Sequence, residues 1–345
     1  MMNDAVSTEL DANSAGGWAV DPSAFAELAV HNALLNDRTA LEAEWERRGY
    51  WYFKGVLDHD ALDTFRAHVL DALRPLDVVE QDGDALRISA RAPEVFPETI
   101  QAGTTPFPEL VHFKYWREFL ADPRIAATFE RLLGDKPNWV PVAELRAVPP
   151  NDPTQQSLSF PHQDGFYNEG YRCLTAWMPL WAAPRACGGL AVAEGLHRQG
   201  YFHDQAAPPR FAIPPTAIPP EAWRTTDYAP GDVVIFDRAL PHSGVRNRSR
   251  EFFRSSFDVR CVLPGDPPPL VGVIVSADAE QVTVRTEDGL ERAFRFDAES
   301  CCRGIGVGSG FRISPAEVAE QYRPGQEVML THEGDVVRLL REPKY

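Results

Sequence analysis

The chain has 345 residues, 44% of them hydrophobic, which suffices for one large β-sandwich domain and a smaller module. Its formal charge of −16 excludes the basic footprint that DNA or RNA binding requires. No stretch approaches the roughly 20 apolar residues that span a bilayer. The start MMNDAVSTEL is acidic where a signal peptide is basic, so the expected compartment is the cytoplasm. The five cysteines (Cys173, Cys187, Cys261, Cys301, Cys302) are odd in number and without a repeating spacing. They predict neither a disulfide framework nor a zinc knuckle, and read as reduced, mostly buried thiols.

Residues 1–36 are rich in Ala, Asp and Asn without steady periodicity and read as a flexible, loosely docked leader. A helix is expected over Arg38 to Arg48, ended by Gly49, and then a strand at Tyr50-Trp51-Tyr52-Phe53. Asp58 or His59 opens a second helix, with Leu62, Phe65, Val69 and Leu73 on its apolar face. A third, Pro123 to Leu133, repeats the 3.6 period at Ile125, Phe129, Leu132 and Leu133 and stops at Gly134. Sheet follows: an apolar strand from Leu174 to Trp181, then a Gly turn, a short strand and a polar turn over residues 187–200. The stretch PPRFAIPPTAIPP (208–220) must be a loop, because proline removes ladder donors and breaks helices. A stiff lid over the barrel mouth and a linker on the outside are both compatible with it. A turn at Pro230-Gly231-Asp232 leads into the β-branched run Val233 to Phe236, and a last strand runs from Phe252 to Val262.

Past Pro264-Gly265-Asp266-Pro267-Pro268-Pro269 the pattern changes to short alternating strands. Val271 to Val275, Val282 to Thr286 and Ala293 to Phe296 follow one another around an Asp288-Gly289 turn, and a hairpin is expected at Glu327 to Leu340. This predicts a small appended β-barrel without ligand spacing, in which His332 is a surface residue.

The chemistry concentrates at His162-Gln163-Asp164 and at His242, eighty positions later. Two imidazoles and one carboxylate are the donor set of the facial triad of non-heme Fe(II) oxygenases, which leaves three coordination positions open. On a strand, His162 and Asp164 point the same way and Gln163 points away. By itself the His-x-Asp pair is a weak signal, since a surface histidine on a solvated loop reads the same. His197 and His203 flank the polar turn and read as surface or capping groups. Arg246, Arg248, Arg250 and Arg254 cluster where an anion can sit, although the first three read as a solvated turn.

The segments FPHQDGFYNEG, TAWMPLW, GGLAVAEGLHRQG, PGDVVIFDRALPHSG and RSSFDVRC together resemble the phytanoyl-CoA dioxygenase family of Fe(II)/2-oxoglutarate oxygenases, over about residues 37 to 265. The resemblance implies a mainly β fold, a double-stranded β-helix (jelly-roll) core with flanking helices, over residues 37–266. The leader 1–36 precedes it and the all-β module 267–345 follows. It implies His162, Asp164 and His242 as iron ligands and Arg254 as partner of the 2-oxoglutarate C5 carboxylate. Strand alternation adds Ser256 as a second donor. The family spaces this arginine about one residue closer to the histidine, so Arg260, on the same face, is the fallback. Trp177 matches an aromatic lining the cosubstrate pocket, though it reads nearly as well as a core residue, and Gln163 is placed to hydrogen-bond around the site.

The implied cofactors are Fe(II), 2-oxoglutarate and O2, with succinate and CO2 as coproducts, and a reducing cytosol suits Fe(II). Halogenating relatives lose the carboxylate ligand, and this chain keeps Asp164, so hydroxylation is expected rather than chlorination. The expected partner is a small natural-product, amino-acid or lipid-like substrate, with no nucleic acid and no membrane span. A homo-oligomer and a thioester-bound substrate stay open. Two other readings stand beside this one: a non-oxidative metal cupin acting as isomerase or lyase, and a binding module with a silent jelly roll.

Overall fold

The computed structural model describes residues 24–92, 100–101, 115–150, 161–168, 170–204, 206, 212–263, 265–305 and 312–343. Four helices begin it: α1 (Arg38–Arg48), α2 (His59–Leu73), α3 (Tyr115–Ala121) and α4 (Pro123–Leu133). Their ends follow side-chain chemistry. The carboxylates of Asp37, Asp58 and Asp122 accept from the backbone N–H groups of Ala40, Ala61 and Arg124, which satisfies donors a helix start leaves unpaired. Gly49 and Gly134 close α1 and α4 in the left-handed conformation, at φ of 80° and 78°.

Strands β1 (Ala26–Glu27), β2 (Tyr50–Phe53), β3 (Val79–Asp82), β4 (Ala85–Ile88), β5 (Ile100–Gln101), β6 (Trp139–Val148), β7 (Cys173–Pro179), β8 (Leu190–Ala193), β9 (Trp223–Thr225), β10 (Val233–Asp237), β11 (His242–Gly244) and β12 (Arg254–Val262) follow in chain order. All but the β3–β4 hairpin build two facing sheets, a major one ordered β2-β10-β7-β12-β6-β5 and a minor one ordered β1-β9-β8-β11. The major sheet is antiparallel throughout, and from β9 to β12 successive strands of the chain alternate between the two sheets as in a jelly roll.

Period-two alternation sorts the side chains. Trp51, Phe53, Leu174, Ala176, Val233, Ile235, Phe257 and Val259 face the helices in the largest apolar core. There Phe257 meets Phe65 edge to face at 5.1 Å and Phe65 stacks on Phe119 at 4.9 Å. The opposite face carries Tyr50, Tyr52, Trp177, Val234 and Phe236, packed against Leu190 and Val192 of the minor sheet. The cavity opens between the two sheets, so the helices serve as a rigid backing and contribute nothing to its lining.

Several expectations are corrected. The leader is not loose over residues 24–36: β1 pairs in parallel with β9, and His31 donates its backbone N–H to the Tyr52 carbonyl at 2.8 Å. Residues 1–23 lie outside the described residues. The described part of the Pro-rich stretch makes two 3-10 turns, Pro215–Ala217 and Pro220–Ala222. Ile213 and Ile218 there pack with Phe25, Ala191, Ala193 and Trp223 on the outer side of the minor sheet, so this stretch is a cover on the outside and not a lid. Residues 208–211 lie outside the described residues.

Residues 270–341 make a separate sheet from β13 (Leu270–Ala277), β14 (Gln281–Thr286), β15 (Glu291–Arg295), β16 (Cys301–Arg303), β17 (Arg312–Ile313), β18 (Glu327–Glu333) and β19 (Val336–Arg341). The order β15-β14-β13-β18-β19 closes on itself where Arg295 meets Val336, forming a five-stranded ring around Ile274, Val282, Val284, Val328 and Leu340. A short helix, α6 (Pro315–Gln321), carries a Ser314/Glu317 capping box and adds Val318 to that core. A second apolar cluster joins the ring to the jelly roll: Val140, Val142, Tyr171, Cys173 and Val262 against Cys301, Met329 and Leu339. All five cysteines are buried thiols. Among the described residues no helix is long and apolar enough to cross a membrane.

Candidate active site

His162 does not lie on a strand with Asp164. It forms a single antiparallel bridge with His242, and the chain then turns into a four-residue helix, here α5 (Asp164–Tyr167), which Asp164 opens. Gly165 lets neighbours close on this turn: an added Cβ would come within 2.4 Å of the Tyr201 hydroxyl and 2.9 Å of Arg238, and its N–H donates to the Arg238 carbonyl at 2.8 Å. The three side chains converge by this bridge-and-turn geometry instead of by strand alternation. One carboxylate oxygen of Asp164 lies 3.7 Å from Nε2 of His162 and 3.7 Å from Nε2 of His242, and the three ligand atoms fall within 4.8 Å of one another.

Two of the three groups, His242 and Asp164, are in the protonation states that can hold a cation. His242 holds its Nδ1 against the Leu240 carbonyl at 2.9 Å, so Nδ1 carries the proton and Nε2 offers its lone pair. Burial lowers the pKa of His242, only partly opposed by Asp164, which keeps the imidazole in the neutral, ligating form. For Asp164, burial acts against ionisation, but Arg260 and the two histidines outweigh it and hold the carboxyl well below the usual range. The Thr175 hydroxyl donates to the same carboxylate at 2.6 Å.

The interior face of β12 presents Arg254, Ser256, Asp258 and Arg260 in alternation, opposite Glu144 and Arg146 of β6. Arg260 is committed: its Nε and Nη2 donate to Asp164 at 3.1 Å, and Nη2 also lies 3.0 Å from Asp258. Arg146 donates to Asp258 in a short contact and lies 3.9 Å from Glu144. Arg254 differs. It is only 4% exposed, its Nη1 donates to the Ser256 hydroxyl at 2.9 Å, its Nε has no partner, and it forms no ion pair among the described residues. Burial first, and Arg146 second, lower its pKa to about 10, which still leaves it charged at neutral pH.

A cavity joins these groups, lined by His162, His242, Trp177, Phe236, Arg254 and Arg260 among others. Trp177 lines the cavity and packs at 4.7 Å on Tyr228. Ser256 supports Arg254. Gln163 does not line the cavity. Fully buried, it donates to the carbonyls of Gly200 and Ala239 at 2.8 and 2.6 Å and accepts from Phe202 N–H at 2.8 Å, so its role beside the cosubstrate is corrected to tying down a loop. Arg260, the fallback for the cosubstrate carboxylate, instead braces the triad carboxylate. His203 is buried and not a surface group, accepting the Gln163 N–H and stacking on Phe166 at 3.9 Å. His197 packs against Gly49, and His332 is exposed as expected. Arg248 and Arg250 are exposed as well.

Thr175, Asp258 and Arg146 were not singled out by the sequence. Thr175 shares its strand face with Trp177 two residues on, which is a signal that alternation supplies. Arg146 gives none, because nothing in the sequence marks its strand as facing a site.

A family model described as Phytanoyl-CoA dioxygenase (PhyH) matches residues 45–256. The chain is similar to a 1-deoxypentalenic acid 11-beta-hydroxylase of Streptomyces arenae, 27% identical over 251 residues, or 68% of this chain and 85% of the relative. It is similar also to the enzyme of that name in Streptomyces exfoliatus, 28% identical over 244 residues, 66% and 82% of the two chains. Among solved structures, EvdO2 from Micromonospora carbonacea var. aurantiaca, complexed with 2-oxoglutarate, aligns over 68% of this chain and 95% of its own at 20% identity, with a TM-score of 0.46.

Proposed function

The chain belongs to the phytanoyl-CoA dioxygenase family and is an Fe(II)- and 2-oxoglutarate-dependent dioxygenase, and on that premise we propose that its iron is held by His162, Asp164 and His242 and its cosubstrate by Arg254. The donor set fits the metal: two imidazoles and one ionised carboxylate would occupy one side of an ion and leave the cavity side for exchangeable ligands. The single observation that carries the cosubstrate assignment is the uncommitted charge of Arg254. Glu144, Asp164 and Asp258 are taken up by Arg146 and Arg260, whereas Arg254 is buried with a serine hydroxyl alone. An unpaired guanidinium in a buried wall is costly, and a carboxylate is the group its fork matches. Ser256 fixes the orientation of that fork.

Bound iron, with 2-oxoglutarate and oxygen, supplies an oxidant that abstracts hydrogen from the substrate, with release of succinate and CO2. The protein's part is positional. His242 keeps its proton on Nδ1, Thr175 and Arg260 hold the Asp164 carboxylate in place, and Trp177, Leu190 and Phe236 exclude water from the cavity wall. Retention of Asp164 supports hydroxylation over halogenation, since no ligand position is freed for halide. The proposed substrate is a small natural-product-like molecule, as the names of the two hydroxylase relatives suggest. The domain reading proposed is a jelly-roll oxygenase followed by a small all-β module. A chain of charge −16 is further proposed to act without nucleic acid.

Oxygen-dependent succinate formation from 2-oxoglutarate, compared between the wild type and Arg254→Ala, tests this reading. We expect turnover in the wild type and a large rise in KM for 2-oxoglutarate in the variant. Turnover unaffected by the substitution would remove Arg254 from the cosubstrate site.

A further inference from the structure

The family match ends at residue 256, yet the C-terminal ring touches the turn that carries the triad carboxylate. Asn168, the residue closing α5, is buried and holds the Asp164 carbonyl twice, through its backbone N–H and its side-chain amide, each at 2.9 Å. The other end of that amide, Oδ1, accepts from Nη1 of Arg341 at 3.2 Å and from the Tyr171 hydroxyl at 3.3 Å. One residue earlier, the Tyr167 carbonyl accepts from Nη2 of Arg303 at 2.7 Å. Arg303 and Arg341 end adjacent strands of the C-terminal sheet, β16 beside the ring and β19 within it, and both are 7% exposed. The next residue in contact, Gly170, accepts at its carbonyl from the Thr331 hydroxyl at 2.8 Å and lies so close to Arg338 that a Cβ would meet the Arg338 carbonyl oxygen at 2.6 Å. The C-terminal sheet therefore presents two guanidiniums to residues 164–168, whose Tyr167 ring lies 6.2 Å from that of His162, and a backbone surface to Gly170 just beyond them.

We propose that the C-terminal β-ring is a positioning element of the active site: Arg341 through Asn168, and Arg303 through the Tyr167 carbonyl, fix the turn that aims Asp164 at the metal. The inference rests on the iron assignment proposed above. Four helical residues cannot hold their own shape, because a helix that short has no net propagation to offset its nucleation cost, so the geometry of this turn must be imposed from outside. Burying two arginines to bond main-chain carbonyls and an amide is justified if it sets the position of one residue, since supporting hydrogen bonds of metal ligands commonly carry a factor of about 10 to 100 in metal affinity. Arg303 and Arg341 are thus positioning residues; neither lines the cavity.

The test is the affinity of the full apo chain for Fe(II), measured anaerobically by competition with a chromogenic chelator. Arg341→Met and Asn168→Ala are each expected to weaken Fe(II) by about tenfold, with less than additive loss in the double variant, and Arg341→Lys to restore part of it. Val282→Ala, in the core of the ring and away from the turn, controls for loss of stability and is expected to leave Fe(II) affinity unchanged at an equal drop in thermal midpoint. Wild-type affinity in folded Arg341→Met and Asn168→Ala, or additive effects, would overturn the proposal. If Arg341→Met does not fold, Arg341→Lys and Asn168→Ala decide it alone. Failure of the wild type itself to bind Fe(II), with no dependence on His242, would instead overturn the iron assignment.

Discussion

The two ends of one strand face hold arginines of opposite kinds. At one end of β12, Arg260 is surrounded by carboxylates: two contacts to Asp164, one to Asp258, and a pKa driven above its ordinary value by them despite burial. At the other end Arg254 has a serine, an unpartnered Nε and a lowered pKa. The two are equally buried, at 6% and 4% exposure, so burial alone does not separate a structural cation from a binding one. What separates them is whether the fold already supplies the anion.

Substitution at each end breaks this comparison in opposite directions. Removing the guanidinium with Arg260→Met strips Asp164 of its cation and leaves Asp258 with Arg146 alone, and deleting one partner of a buried pair costs about 3–5 kcal/mol. The metal-free protein should lose that much stability in denaturant titration, without a change in 2-oxoglutarate affinity per folded, iron-loaded molecule. Arg254→Met should do the reverse. It removes a charge with no anionic partner, so the thermal midpoint of the ligand-free protein should hold or rise, while 2-oxoglutarate affinity falls by about 2–5 kcal/mol, the cost of truncating one side of a buried charged contact. A stability loss in Arg254→Met equal to that in Arg260→Met would erase the distinction.

The ligand sharpens it further. At 100 times Kd, 2-oxoglutarate with metal should stabilise the wild type by about 2.7 kcal/mol. Arg254→Met should keep at most about 0.9 kcal/mol of that gain at the same concentration, which differential scanning fluorimetry with a non-oxidisable divalent metal reads directly. The smallest expected effect is at Thr175, whose hydroxyl orients the triad carboxylate. Thr175→Val should weaken metal binding by about tenfold, and leave the affinity for 2-oxoglutarate in the metal-loaded enzyme near that of the wild type.

Much of this was legible in the sequence because the signals are local. Asp37 with Gly49, and Asp122-Pro123 with Gly134, mark helix ends by chemistry that acts within one turn. The run Val233 to Phe236 marks a strand whose two faces are both buried. Other features are not local. The turn at Asp164 is held by segments distant in sequence, through the His162–His242 bridge and the Gly165 N–H to the Arg238 carbonyl, so the His-x-Asp pair read as a strand. Strand β6 went unread because Pro141 breaks its pattern, and Pro141 sits where the pairing with β12 skips between Ala143 and Trp139. With β6 unread, Arg146 and Glu144 were out of reach, and so was the fact that only Arg254 among the three arginines lining the cavity lacks a carboxylate. The identity of the ligands was visible from residue types, whereas the division of charge among them exists only after the sheets close.

The central claim is that this uncommitted guanidinium anchors 2-oxoglutarate beside an iron held by His162, Asp164 and His242. Its most direct test is anaerobic loading with Fe(II), followed by titration with 2-oxoglutarate while recording the visible metal-to-ligand charge-transfer band. The band should grow to saturation in the wild type, be absent in His242→Ala, and require far higher 2-oxoglutarate in Arg254→Met. A folded, iron-loaded wild type that shows no band, or an Arg254→Met variant that titrates like the wild type, would contradict it.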